Sequence, residues 1–195
     1  MNKKEITEFF NTCAPFWDSE IIRDDIVISR ILDVAGVCAG KSVLDVACGT
    51  GVLIPYYLSR NVSSVTGADI PPEMIRIAEN KFSDPRITFL CTDVEQFTSP
   101  EKYDCIVVYN AFPHFPNPID MISSLSRVLK PEGRLTIAHG MSRERINQHH
   151  LSVMHISREL IPAEELSMLF TSCGLKADSI ISDNRMYLVS GTSSV

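Results

Sequence analysis

The sequence predicts an α/β protein built on a doubly wound, mostly parallel sheet that closes with an antiparallel hairpin. Three observations lead there. Short apolar runs rich in β-branched residues recur along the chain, as strands buried on both faces require. Helically spaced stretches separate them, the alternation that builds parallel sheets. Two final strand-like runs flank Asp183-Asn184, a turn dipeptide that favours a hairpin.

The elements follow in order. Residues 1–18 form an aromatic-rich leader with Phe9, Phe10, Phe16 and Trp17. Ser19 is a cap candidate for a helix running to Gly36, where glycine suits the C-terminal turn. Strands are expected at 42–47, 64–69, 87–93, 103–110 and 133–139. The prolines of "PPEMIRIAENKF" open a helix, and "NPIDMISSLSRVLKPEG" places Ile119, Ile122, Leu125 and Leu129 on one face before a Pro-Glu-Gly stop. Pro162 opens a last helix with Leu166, Leu169 and Phe170 inward and Gly174 as its cap. The hairpin strands are expected at 175–182 and 185–191.

Composition narrows the function. A chain of 195 residues, 45% hydrophobic and 22% charged, fits one domain over 1–195 with a sizeable core. A net charge of −6 with scattered basic residues provides no footprint for nucleic acid. No apolar run is long enough to span a bilayer and "MNKKEITEFF" lacks the features of a signal peptide, so no membrane partner and a cytoplasmic location are expected. The six cysteines stand singly, which indicates neither a zinc site nor a disulfide framework.

In a doubly wound sheet the ligand sits beyond the carboxyl ends of the strands. Asp45, Gly49 and Gly51 follow the first strand, Asp69 ends the second, Asp93 the third, Asn110 the fourth and His139 the fifth. A dinucleotide fingerprint would need a third glycine where Ile54 stands, which argues against NAD and a nicotinamide oxidoreductase.

Residues Asp45-Val46-Ala47-Cys48-Gly49-Thr50-Gly51 resemble instead the first motif of the class I S-adenosylmethionine-dependent methyltransferases, acid-x-G-x-G-x-G, with Ala47 in place of the first glycine. "VTGADIPPEMI" resembles their second motif, and "YDCIVVYNAFPHF" and "LKPEGRLTIAH" their fourth and fifth strands. The resemblance spans about Leu32 to His139. It implies a Rossmann-like seven-stranded sheet of order 3-2-1-4-5-7-6 and S-adenosylmethionine as cofactor, with S-adenosylhomocysteine as product. The implied cofactor residues are Asp45, Ala47, Gly49, Gly51, Asp69 on both ribose hydroxyls, Ile70, Asp93 at the adenine amine, Val94 beside the ring, and Asn110. It also implies a lid over residues 1–18.

Methyl transfer from a sulfonium needs mainly orientation, and a general base only where the acceptor must lose a proton. A small-molecule acceptor is expected, with a non-catalytic S-adenosylmethionine-binding protein as the alternative. Candidate pocket residues are Phe9, Phe10, Trp17, Phe112, His149 and His150, with His114 and His139 as catalytic candidates. The segment 140–161 is expected to contribute to that pocket. Its histidines lack the i,i+4 pairing of a metal site, so no metal is expected.

Overall fold

The computed structural model describes residues 1–150 and 155–193. Seven strands form one sheet in the order β3-β2-β1-β4-β5-β7-β6. They are β1 (Ser42–Val46), β2 (Ser64–Asp69), β3 (Ile87–Cys91), β4 (Tyr103–Tyr109), β5 (Leu129–His139), β6 (Leu175–Ser182) and β7 (Tyr187–Ser193). The first five pair in parallel, whereas β7 inserts antiparallel between β5 and β6. The helices are α1 (Lys3–Cys13), α2 (Trp17–Glu20), α3 (Asp25–Val34), α4 (Ile54–Ser59), α5 (Pro72–Lys81), α6 (Pro118–Arg127), α7 (Arg143–His150) and α8 (Ala163–Ser172).

Strand alternation divides the core between the two faces. Leu44, Val46, Ile106 and Val108 face α6 and α8, where Met121, Ile122, Leu125, Leu166 and Phe170 meet them. Val43, Cys105 and Val107 face α3 and α4, where Ile28, Leu32, Ile54 and Tyr57 are buried. Covering both faces leaves the carboxyl edge of the sheet as the open place for a ligand.

Three expectations need correction. The helix before β1 begins at Asp25, because Asp24 accepts hydrogen bonds from the N–H groups of Ile26 and Val27 and outcompetes Ser19 as cap. Residues 21–24 thereby become an extended connection between α2 and α3. Ile119 is 54% exposed and Leu129 opens β5, so the buried face of α6 runs through Met121, Ile122 and Leu125. Pro131-Glu132-Gly133 forms a bulge inside β5, with Glu132 at φ 60°, since pairing with β4 already starts at Leu129 and shifts register before Arg134.

Candidate active site

The loop after β1 turns through left-handed backbone at Ala47 (φ 53°), Gly49 (φ 55°) and Gly51 (φ 86°). This exposes amides toward the sheet edge. The Gly49 N–H donates to Asp69 Oδ2 at 2.7 Å, and the Ile70 N–H donates to Asp69 Oδ1 at 2.8 Å. Each oxygen keeps a second lone pair for a ligand hydroxyl. Burial pushes the Asp69 carboxyl up to about 6, against the two backbone donors that hold it down. Gly51 does not line the cavity: a Cβ there would lie 2.7 Å from Phe82 Cε2 and 3.1 Å from Ile54 Cγ1, so its glycine serves loop packing.

Asp45 lies beneath this loop, 2% exposed, with Oδ2 buried and accepting no hydrogen bond among the described residues. It too lies outside the cavity lining. Burial pushes its carboxyl up to about 8, with the Tyr57 hydroxyl opposing and the Asp69 charge adding. The folded protein therefore holds a proton that the unfolded chain releases near the ordinary value of about 3.9, and stability falls as pH rises between the two. Asp69 contributes only up to about pH 6. Between pH 6.5 and 8 the ligand-free protein should lose up to about 1.4 kcal/mol of stability per pH unit. Asp45→Asn should flatten that slope in urea titrations, and an unchanged slope would remove Asp45 as its source.

At the end of β3 the Lys3 ammonium sits 2.5 Å from Asp93 Oδ2 and 2.6 Å from Glu95 Oε2. Glu95 is buried and also accepts from the backbone N–H and side-chain amide of Asn117. Lys3 thus ties α1 to the β3 edge of the site. The other end of the N-terminal segment is tied to the glycine loop. Asp18 accepts from Thr50 Oγ1 at 2.6 Å and pairs with Lys81 at 2.7 Å, and Trp17 Nε1 lies 3.4 Å from where a Gly49 Cβ would stand. Between the anchors, Asn11 accepts from the Glu73 N–H, and Phe10 sets its ring edge-on to both Trp17 and His114.

One continuous cavity results. It is lined by Ala47, Gly49, Asp69, Ile70, Asp93, Val94 and Asn110 at the strand ends, by His114 on the loop after β4, and by Phe10 and Trp17 of the N-terminal segment. The His114 Nδ1 lies 3.0 Å from the Ile156 carbonyl oxygen. A carbonyl only accepts, so Nδ1–H donates in this contact.

Other expected residues are placed elsewhere. His139 is 2% exposed with its ring edge toward Tyr187, because β7 pairs alongside and sets Tyr187 opposite it. It does not reach the cavity. Phe112 turns into the core, since one short 3-10 turn sends residues 112 and 114 to different sides. Phe9 packs behind Phe10 and against His155. His149 is exposed on α7, and the side chain of His150 lies outside the described residues. None of the described residues of 140–161 lines the cavity. Instead the Arg158 N–H bonds the Pro113 carbonyl and its guanidinium the Pro116 carbonyl, which buttresses the loop carrying His114. Among the described residues no group of three or more His, Cys, Asp or Glu could hold a metal, and no helix is long and apolar enough to cross a membrane.

Sequence reasoning missed Lys3, Arg23, Glu95 and Tyr109, all of which line the cavity. Glu95 stands two residues after Asp93 and Tyr109 just before Asn110, so strand-end adjacency could have found both. Lys3 and Arg23 carry no local signal.

Comparison with known proteins identifies the family and the fold. A family model described as a methyltransferase domain matches residues 43–133. The chain is 32% identical over 143 residues to the demethylmenaquinone methyltransferase of Tropheryma whipplei strain Twist, covering 68% of this chain and 58% of that relative. The chain thus spans under two thirds of that protein's length. The magnesium protoporphyrin IX methyltransferase of Synechocystis PCC 6803, solved with bound SAH, superposes with a TM-score of 0.75 at 18% identity over 99% of this chain and all of that one. The (4+2)-cyclase SpnF superposes with a TM-score of 0.79 at 16% identity over 97% and 95%.

Proposed function

Since the chain belongs to the class I S-adenosylmethionine-dependent methyltransferase family, we propose that it moves the methyl group of that cofactor to a planar, largely apolar small molecule. The observation that carries this reading is the single cavity running from the Asp69 and Asp93 carboxylates to an apolar and aromatic wall of Phe10, Trp17, Phe115 and Ile22, with His114 among them. The residues present fit the cofactor. Asp69 has lone pairs left for a ribose diol, and the left-handed turn at Ala47 and Gly49 lets backbone approach its amino-acid end. The activity named for the Tropheryma whipplei relative, on demethylmenaquinone, concerns a flat ring system, which supports the choice of acceptor class.

When bound, S-adenosylmethionine supplies a methyl group already activated by its sulfonium, open to in-line displacement. The chain's residues do the rest. Asp69 and Asp93 fix the nucleoside end, and Lys3 holds Asp93 in place through their ion pair. The N-terminal segment acts as a lid that excludes water, because its two anchors span the cavity from Lys3 to Asp18. Phe10, Trp17 and Phe115 hold the acceptor ring, and His114 Nε2 accepts the proton that the attacking atom loses.

The experiment is to incubate the protein with S-adenosylmethionine and a panel of phenols, quinols and porphyrin carboxylates, following S-adenosylhomocysteine formation and methylated product by mass spectrometry. Product with a planar acceptor supports the reading. SpnF shows that this fold carries other chemistry, so tight cofactor binding with no methyl transfer across the panel would favour the non-catalytic alternative.

A further inference from the structure

The loop after β4 carries His114, Phe115 and Pro116 of the cavity wall and ends at Asn117, the residue before α6. An asparagine in that position ordinarily caps its own helix. Here the side chain makes no cap bond and instead donates its amide to Glu95 Oε2 at 3.0 Å, while the Asn117 backbone N–H donates to Glu95 Oε1 at 2.8 Å. Both donors at the end of the loop are spent on one carboxylate.

That carboxylate is itself fixed. The Glu95 side chain is 2% exposed, its backbone N–H donates to Asp93 Oδ1, and its carbonyl accepts from the buried Ser124 hydroxyl of α6. Lys3 bridges Glu95 Oε2 and Asp93 Oδ2. A carboxylate this buried must be met by donors, and they come from two places: the Asp93 end of the cavity and the loop that presents His114. On its other side that loop is held by Arg158, through the Pro113 and Pro116 carbonyls, and by the His114 contact with the Ile156 carbonyl.

We propose that Glu95 is a positioning residue for methyl transfer, which through its two bonds to Asn117 holds His114 and Phe115 in place relative to the Asp93 end of the cavity. The role rests on the cofactor and acceptor reading above. It calls for an acid rather than an amide, because the Asn117 N–H, the Asn117 side-chain amide and Lys3 are all donors and only a carboxylate presents an acceptor to each. A glutamine would set its own NH2 against one of them, and a displacement of about 1 Å in a reacting group costs up to about a hundredfold in rate.

The test compares wild type, Glu95→Gln, Asn117→Ala and the double variant. Its first readout needs no acceptor: imidazole nitrogen NMR on histidine-labelled protein, in which Glu95→Gln and Asn117→Ala should both move the His114 Nδ1 signal and leave that of exposed His149 in place. The calorimetric dissociation constant of S-adenosylhomocysteine should change by less than about threefold, since Asp69 stays and Asp93 keeps Lys3. With S-adenosylmethionine and a planar acceptor, kcat should fall by about tenfold in Glu95→Gln and by less in Asn117→Ala. The double variant should lie within about twofold of Glu95→Gln, because the two residues act through one contact. An unmoved His114 signal in Glu95→Gln, or losses that multiply in the double variant, would overturn the proposal. A loss of S-adenosylhomocysteine affinity as large as the loss of kcat would also overturn it, by assigning Glu95 to the cofactor. Should Glu95→Gln fail to fold, the His114 signal in Asn117→Ala, which leaves the carboxylate paired with Lys3, decides in its place. Failure of the wild type to bind S-adenosylhomocysteine would instead refute the cofactor reading on which the role stands.

Discussion

Asp69→Ala should weaken S-adenosylhomocysteine binding by about a hundredfold or more. An ionised carboxylate holding two ribose hydroxyls contributes on the order of 1.5 to 3 kcal/mol per hydrogen bond, and both are lost together. The fold should survive, because the Gly49 and Ile70 N–H groups released by the substitution lie at the open sheet edge, where water can replace the carboxylate. Removing a carboxyl whose ionisation burial opposes also relieves a cost in the ligand-free protein. The ionised form is the one that accepts two hydroxyls, so wild-type affinity should fall as pH drops through about 6, and the alanine variant should lack that dependence. Equilibrium dialysis between pH 5 and 8 reads both effects. An unchanged dissociation constant would take Asp69 out of the site.

The second large effect concerns His114. Losing a positioned general base typically costs on the order of 100-fold or more in turnover, so His114→Ala should lower kcat by about that factor with a proton-bearing acceptor. S-adenosylhomocysteine affinity should stay within about threefold, because the ring packs against Phe10 on the loop after β4 and touches neither the glycine loop nor the Asp69 carboxylate among the contacts described. Wild-type activity should decline on acidification as the imidazole takes up a proton, and the variant should lose that limb of the profile. A variant with full kcat and an unaltered pH profile would show that the acceptor needs no base from this side chain.

The strand-end side of the cavity was legible in the sequence because its determinants are local. A tight turn after β1 requires left-handed backbone at Gly49 and Gly51, and parallel strands deliver Asp69 and Asp93 to one edge whatever the rest of the chain does. The strand order was legible for the same reason. The N-terminal wall of the cavity depends on contacts between distant segments. Lys3 meets a carboxylate 90 residues away, and Trp17 reaches Gly49 only because α2 docks on the glycine loop. His139 shows how the strand-end rule fails: β5 is flanked by an antiparallel partner whose first residue, Tyr187, covers it, so the end of that strand is core. Phe112 and His114 show the same limit at finer scale, since a single turn separates a core ring from a cavity ring and hydrophobicity alone would place both aromatics together.

The central claim is that one cavity on this sheet edge takes S-adenosylmethionine rather than a dinucleotide. Calorimetric titration of the wild-type protein with S-adenosylhomocysteine and, separately, with NAD tests it most directly. One-to-one binding of S-adenosylhomocysteine with no heat from NAD is the predicted result; saturable binding of NAD without binding of S-adenosylhomocysteine would contradict it.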